Sequence, residues 1–301
     1  MFGVTILGNN SAIPAFDRHP TAQIVTIKDH LFLVDCGEGT QMQIAKYKIR
    51  TSKIEYIFIS HLHGDHYFGL IGLITSMSLL NREKALHIFA PKELEDIIQI
   101  QLNVSNTLLS YPLYFHHLHE EVKIVNTNHF TIDCFKVQHR IACWGFIFRE
   151  NKMPRKINRE NCLTYEIPLA YYKNLQHGDD YINKDGIKIK NELLTEANQP
   201  AKSYAYAADT IYDENVAEKV KHVNLLYHET TYLKDAFEKA ALRFHCTSIQ
   251  AAEIAKLAAV QKLLIGHFSS KYEKLDDFLI EAQSVFEQTE LALEGITYTV
   301  I

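Results

Sequence analysis

Short apolar runs recur along the chain, and many of them stop abruptly at polar side chains. FGVTILG, LFLVDCG, KIEYIFISH, HIFAP, TIDCFKVQH, WGFIFRE, SYAYAADT, VNLLYHETT and KLLIGHFS have the length and composition of strands. Turn chemistry at Gly8 to Pro14, Gly37 and Gly39 separates the first of them. GLIGLITSMSLL has the length and apolar content of a buried helix. KELEDIIQIQLNVSN carries its charge on one face, and SIQAAEIAKLAAV is amphipathic, so both read as helices packed on a core. The order is neither a simple βα alternation nor all-β. It predicts an α/β protein of the α+β type, with two mixed sheets face to face and helices outside them, a four-layer αββα arrangement.

One segment departs from this pattern. From Arg149 to Lys202 long apolar runs are few, and RENKMPRKINR, IPLAYY and the hairpin-like HGDDYINKDGIKI follow one another. We read residues 1–301 as a single domain carrying an inserted arm over about residues 150–200. The segment holds ten basic against eight acidic side chains, with five of the basic ones in its first eleven residues. A surface excursion and a basic clamp both fit that composition.

At 301 residues, 47% hydrophobic and 22% charged, the chain can bury a sizeable core. No apolar run approaches a membrane span, and Met1 leads directly into a strand-like run, so a cytoplasmic protein without membrane contact is expected. Five widely spaced cysteines with no CxxC pair suit reduced thiols used in packing. A net charge of -5 advertises no overall affinity for nucleic acid, so any such binding must use a local patch. Sixteen histidines are the compositional oddity.

Their placement is informative. SHLHGDH, from Ser60 to His66, puts three histidines and an aspartate directly after an apolar run. One histidine near a strand end is ordinarily a satisfied polar side chain; four such groups are not. His61 and His63 alternate so that both can face one cation, and the glycine turn brings Asp65 and His66 toward a second position. Imidazole with carboxylate and no thiolate suits a hydrolytic zinc or a manganese-like ion. His139, Asp209 and His267 close later apolar runs in the same way.

HxHxDH followed by a distant His, Asp and His resembles the metallo-β-lactamase superfamily, whose αββα fold matches the element order above. LGNNSAIP, DCGEGTQ (Asp35 to Gln41), HETT (His228 to Thr231) and FHCTSIQAA around His245 are similar to the ribonuclease Z family, endonucleases that remove 3′ trailers from precursor tRNA. The resemblance runs from about Phe2 to Tyr272.

It implies one zinc held by His61, His63 and His139, a second held by Asp65, His66 and His267, and Asp209 bridging both. Two Zn2+ per chain, or Mn2+ or another divalent ion in their place, would serve phosphodiester hydrolysis. Asp65 is suited to accept the proton of the attacking water. The leaving 3′ oxygen needs a proton of its own, for which His245, oriented by Glu229, is the candidate general acid. Precursor tRNA as substrate and a homodimer also follow from the resemblance alone.

The chain departs from the family pattern in several places. IPLAYYKNL (Ile167 to Leu175) stands where the arm commonly has a Gly-Pro pair, HETT replaces HEAT, and HCT replaces HST. Gly145, Phe146 and Ile147 replace Gly-Tyr-Arg, and Lys271 replaces an arginine, keeping charge without the bidentate fork. Two other readings remain at this point. One is a hydrolase of small phosphodiesters, sulfate esters or lactones; the other is a non-catalytic RNA-binding or metal-binding protein, against which the intact seven-residue set argues.

Overall fold

A computed structural model describes residues 1–301, which divide into two compact units: Met1–Arg149 with Lys202–Ile301, and Glu150–Ala201. The larger unit contains two seven-stranded sheets. In the first the spatial order is Thr297–Thr299, Phe2–Gly8, Ala22–Ile27, His30–Val34, Ile54–Phe58, Leu86–Ala90 and Leu113–His117. In the second it is Thr289–Leu291, Lys262–Gly266, Leu225–Glu229, Ser203–Ala207, Cys143–Glu150, Phe130–Val137 and Lys123–Asn126. Each sheet joins a parallel half to an antiparallel one.

Aromatic side chains weld the facing surfaces. Phe32 and Phe58 of the first sheet meet Phe148 of the second at ring separations of 5.6 and 5.5 Å, and Phe58 meets Phe146 at 5.3 Å. All four rings are buried, and each contributes on the order of 1.5–3 kcal/mol through burial alone. The outer face of the first sheet is covered by the helices Leu70–Leu79 and Glu93–Val104, through Leu73, Ile74, Leu94 and Ile98. The second sheet is covered by Ser248–Leu257 and Asp276–Gln283, through Ala251, Ala255 and Phe278. These are the four layers of the metallo-β-lactamase fold. All five cysteines are buried and unpaired, and no helix is long and apolar enough to cross a membrane.

Five strands of the larger unit are not legible as apolar runs in the sequence: Ala22–Ile27, Leu113–His117, Lys123–Asn126, Thr289–Leu291 and Thr297–Thr299. The last four are edge strands, short or half solvated and therefore without a long apolar run.

The smaller unit has its own core of Cys162, Ile167, Leu175, Ile189 and Leu194. Two short ribbons frame it, Lys156–Ile157 with Thr195–Glu196 and Tyr181–Ile182 with Lys188–Ile189. The IPLAYY stretch forms a tight turn of helix at Leu169–Tyr171, in which the Tyr171 hydroxyl donates to the Asp180 carbonyl at 2.8 Å.

Candidate metal centre and active site

The site lies where chain leaves the carboxyl ends of strands in both sheets. Ile54–Phe58 stops three residues before His61, so His61 and His63 stand on a loop beyond the strand, while Asp65 and His66 open the short helix Gly64–Tyr67. The loop after His30–Val34 holds this helix in place. Cys36 N–H donates to the His66 carbonyl at 2.7 Å, and Gly69 N–H donates to the Cys36 carbonyl at 2.9 Å. A Cβ on Gly69 would lie 2.2 Å from the Gly37 carbonyl oxygen, so only glycine allows this approach. From the second sheet, His139 follows Phe130–Val137, Asp209 follows Ser203–Ala207, and His267 follows Lys262–Gly266 directly.

The seven residues form two adjoining groups of donors. His61 Nε2 and His63 Nδ1 are 3.0 Å apart, His139 Nε2 is 3.2 Å from His63 Nδ1, and Asp209 Oδ2 is 3.7 Å from His61 Nε2. In the second group, Asp65 Oδ2 lies 3.5 Å from His66 Nε2 and 3.4 Å from His267 Nε2. Asp209 Oδ1 lies 3.5 Å from His66 Nε2 and 3.2 Å from His267 Nε2. Asp209 thus turns one oxygen to each group.

The chemistry of these atoms fits divalent cations. His66 Nε2, His267 Nε2 and Asp209 Oδ1 are buried and have no hydrogen-bond partner, an arrangement that is costly unless a cation takes their lone pairs. Burial holds the His61, His63 and His139 imidazoles below their usual pKa, in the neutral form a metal requires. Burial acts the same way on His66, but Asp209, Asp65 and Asp35 outweigh it and hold this ring well above its usual pKa. The second position therefore calls for positive charge, from a proton or from a metal.

Partners behind the donors set the tautomers. His66 Nδ1–H donates to Asp35 Oδ2 at 2.7 Å, and His139 Nδ1–H donates to the Phe244 carbonyl at 2.9 Å. His267 Nδ1–H donates to Thr231 Oγ1 at 2.9 Å, whose own proton goes to Glu229 Oε2 at 2.8 Å. Each bond leaves an Nε2 lone pair aimed at the centre. Asp35, Phe244 and His267 all adopt positive φ, 56°, 59° and 63°, so backbone strain gathers at the site.

Beside the donors, His245 Nδ1 sits 2.9 Å from Glu229 Oε1. Glu229 is fully buried and also accepts from the Thr210, Thr231 and Cys246 amides. Burial would lower the pKa of His245, but the Glu229 carboxylate overrides it and lifts the ring to about 9. Burial likewise disfavours charge on Glu229, and His245 nonetheless holds its carboxyl below the usual range. Thr247 caps the following helix in a reciprocal capping box with Gln250, which fixes the His245 segment. His245, Asp65, Asp209 and His267 line one cavity of about 650 Å³, together with His63, Arg140, Arg243 and Phe68.

Every residue named from the sequence is in or beside this cluster. Asp35, Ser60, Thr231, Tyr206 and the Phe244 carbonyl were not named as working parts. Ser60 N–H and Oγ–H both donate to Asp35, as does the Tyr206 hydroxyl at 2.6 Å. The DCGEGTQ and HETT stretches carried a legible trace of Asp35 and Thr231; nothing local points to Tyr206.

A curated ribonuclease Z of Bacteroides fragilis is 40% identical over 297 residues, covering 98% of both chains. One from Cytophaga hutchinsonii is 42% identical, covering 99% of this chain and 96% of its own. This chain belongs to the ribonuclease Z family. Residues 2–153 also match a family model described as anti-Pycsar protein Apyc1. Among solved structures, the short form of human tRNase Z superposes with a TM-score of 0.72 at 23% identity, covering 99% of each chain. The metallo-β-lactamase fold protein YhfI of Bacillus subtilis superposes at 0.70 with 20% identity, covering 99% and 98%. Both show the fold.

As a ribonuclease Z family member, the chain makes its departures at sites where the replacement finds a use. Thr230, the residue by which HETT departs from HEAT, is buried and donates its hydroxyl to the His228 carbonyl at 3.2 Å. Cys246 of HCT is buried, its Sγ–H donating to the Thr210 carbonyl at 3.2 Å. Lys271 lies over the Tyr272 ring at 4.9 Å.

Proposed function

We propose that this chain is the metal-dependent endoribonuclease that removes the 3′ trailer from precursor tRNA, leaving a 3′-hydroxyl on the tRNA and a 5′-phosphate on the trailer. The observation that carries the reading is the shared cavity in which two adjoining donor groups face the His245–Glu229 pair.

His61, His63 and His139 would hold one zinc-class ion and Asp65, His66 and His267 another, with Asp209 between them. Such ions, when bound, lower the pKa of water and neutralise phosphate charge. Asp65, fixed by the Ala12 amide at 2.8 Å, accepts the proton of the attacking water. His245 donates to the departing 3′ oxygen, and Glu229 keeps its imidazole oriented and charged. The unit Glu150–Ala201, basic at its opening, grips the folded tRNA through its phosphates. The enzyme works in the cytoplasm as a homodimer.

A second reading, hydrolysis of small phosphodiesters, would use the same two donor groups. Incubating the zinc-loaded protein with a precursor tRNA and, separately, with a small activated phosphodiester decides between them. Trailer release at a single bond, far more efficient than turnover of the small ester, is expected. Efficient ester cleavage with an intact precursor would overturn the proposal in favour of the second reading.

A further inference from the structure

Among the side chains that line the catalytic cavity without holding ions or moving protons are Phe68, Arg140 and Arg243. Phe68 is the unexpected one. It follows the short helix bearing Asp65 and His66, yet the residue is 62% exposed, and the ring it packs against is that of Tyr67, edge to face at 5.1 Å. Its position is built rather than incidental. Three atoms of its ring lie 2.1 to 2.6 Å from where a Cβ on Gly64 would be, so the ring rests across Gly64 in space that any other residue would fill. Single exposed apolar side chains are common on a protein surface, so what distinguishes this ring is its place in the lining of the cavity that holds the metal donors.

The two guanidiniums complement it. Arg140 and Arg243 are both exposed and neither pairs with a carboxylate. They are held to one another's segments through the bond from His139 Nδ1–H to the Phe244 carbonyl, which ties the neighbour of Arg140 to the neighbour of Arg243. The cavity floor is anionic, with Asp65 and Asp209, so these cations at its margin have their charge available for a ligand. An aromatic face with two free guanidiniums around a hydrolytic centre matches a nucleotide strand, in which bases stack and phosphates pair.

We infer that Phe68 stacks on the base of an unpaired nucleotide flanking the scissile phosphate, while Arg140 and Arg243 pair with the neighbouring phosphates. The three residues act in binding and register, not in bond cleavage. The inference rests on the reading of this chain as an RNA-cleaving enzyme, which turnover of intact precursor by the unaltered protein tests separately.

The decisive experiment crosses protein and substrate changes. Precursor tRNAs that are intact, or abasic at one of the two nucleotides flanking the cleavage point, are assayed with the unaltered zinc-loaded protein, Phe68→Ala and Phe68→Trp. With the unaltered protein and Phe68→Trp, one abasic position should raise KM by roughly 5- to 100-fold, the range of lost base–aromatic stacking. With Phe68→Ala, the intact substrate should already show that KM, and the abasic one should add nothing. For Arg140→Ala and Arg243→Ala, the slope of log KM against log salt should each flatten by about 0.7, one phosphate contact on a single strand. If the abasic penalty is the same in Phe68→Ala as in the unaltered protein, or absent from both, the stacking assignment is wrong. Unchanged salt slopes overturn the phosphate assignment.

Discussion

Asp35 Oδ2 and His66 Nδ1 are joined at 2.7 Å in a setting where neither side chain touches solvent. The carboxylate can only accept, so the proton on His66 is held on Nδ1 and Nε2 is left with its lone pair. Asparagine at position 35 can present an amide donor to the same nitrogen and move the proton to the wrong side of the ring. Asp35→Asn should therefore weaken metal binding at the second position by about 10- to 100-fold, the usual effect of changing a ligand's hydrogen-bond partner. Competition titration against a chromogenic chelator measures it. Tyr206→Phe, which removes one of several donors to Asp35, should shift affinity in the same direction by less. Unaltered affinity in Asp35→Asn would show that the tautomer is fixed by something else.

Metal content offers the plainest count. Elemental analysis of protein loaded to full activity should give two zinc-class ions per chain. Chelation should abolish cleavage and lower the thermal midpoint, because the orphaned buried atoms His66 Nε2, His267 Nε2 and Asp209 Oδ1 are then left without a partner. Readdition of zinc should restore both. Full activity with a single ion bound would remove the two-ion mechanism.

His245 separates proton donation from ion binding. His245→Ala should slow RNA cleavage by roughly 10²- to 10⁴-fold while leaving the ion count unchanged. An activated ester departs as a stable anion, so its hydrolysis should be nearly unaffected. Glu229→Gln should give a milder version of the same contrast. His63→Ala, by comparison, should damage both substrates. Equal loss on both substrates in His245→Ala at full zinc occupancy would rule out the general acid role.

Deleting the unit Glu150–Ala201 and joining its flanks with a short glycine-rich linker should abolish precursor processing and spare the activated ester. The unit has its own small core and ribbons, so its loss need not empty the larger one. Loss of ester hydrolysis as well would mark the segment as structural.

Donor residues were legible because coordination demands particular side chains, and HLHGDH places four of them within one turn of chain. Apolar runs stopping at His139, Asp209 and His267 showed the rest, since buried strands are the longest uninterrupted apolar stretches a sequence contains. Helix Glu93–Val104 was equally visible, with acidic residues confined to one face and its first turn. Leu113–His117 was hidden because an edge strand with alternating solvated positions looks like a loop. Tyr206 was hidden for another reason. Its hydroxyl reaches Asp35 across 171 residues, from one sheet to the other, and only the packing of the two sheets brings them together. Phe244 contributes a carbonyl, which every residue has, so no side-chain reading could have found it.

His61, His63, Asp65 and His66 come from the first sheet's loops, and His139, Asp209 and His267 from the second's. Neither sheet owns a complete site, and the centre works as a caliper set across the gap between them. Its jaws are held apart by the Phe32, Phe58, Phe146 and Phe148 rings packed between the sheets. Trimming one of these rings should let the jaws drift, a drift read as ion loss before the fold itself gives way. A change in the aromatic filling would thus be a change in metal affinity.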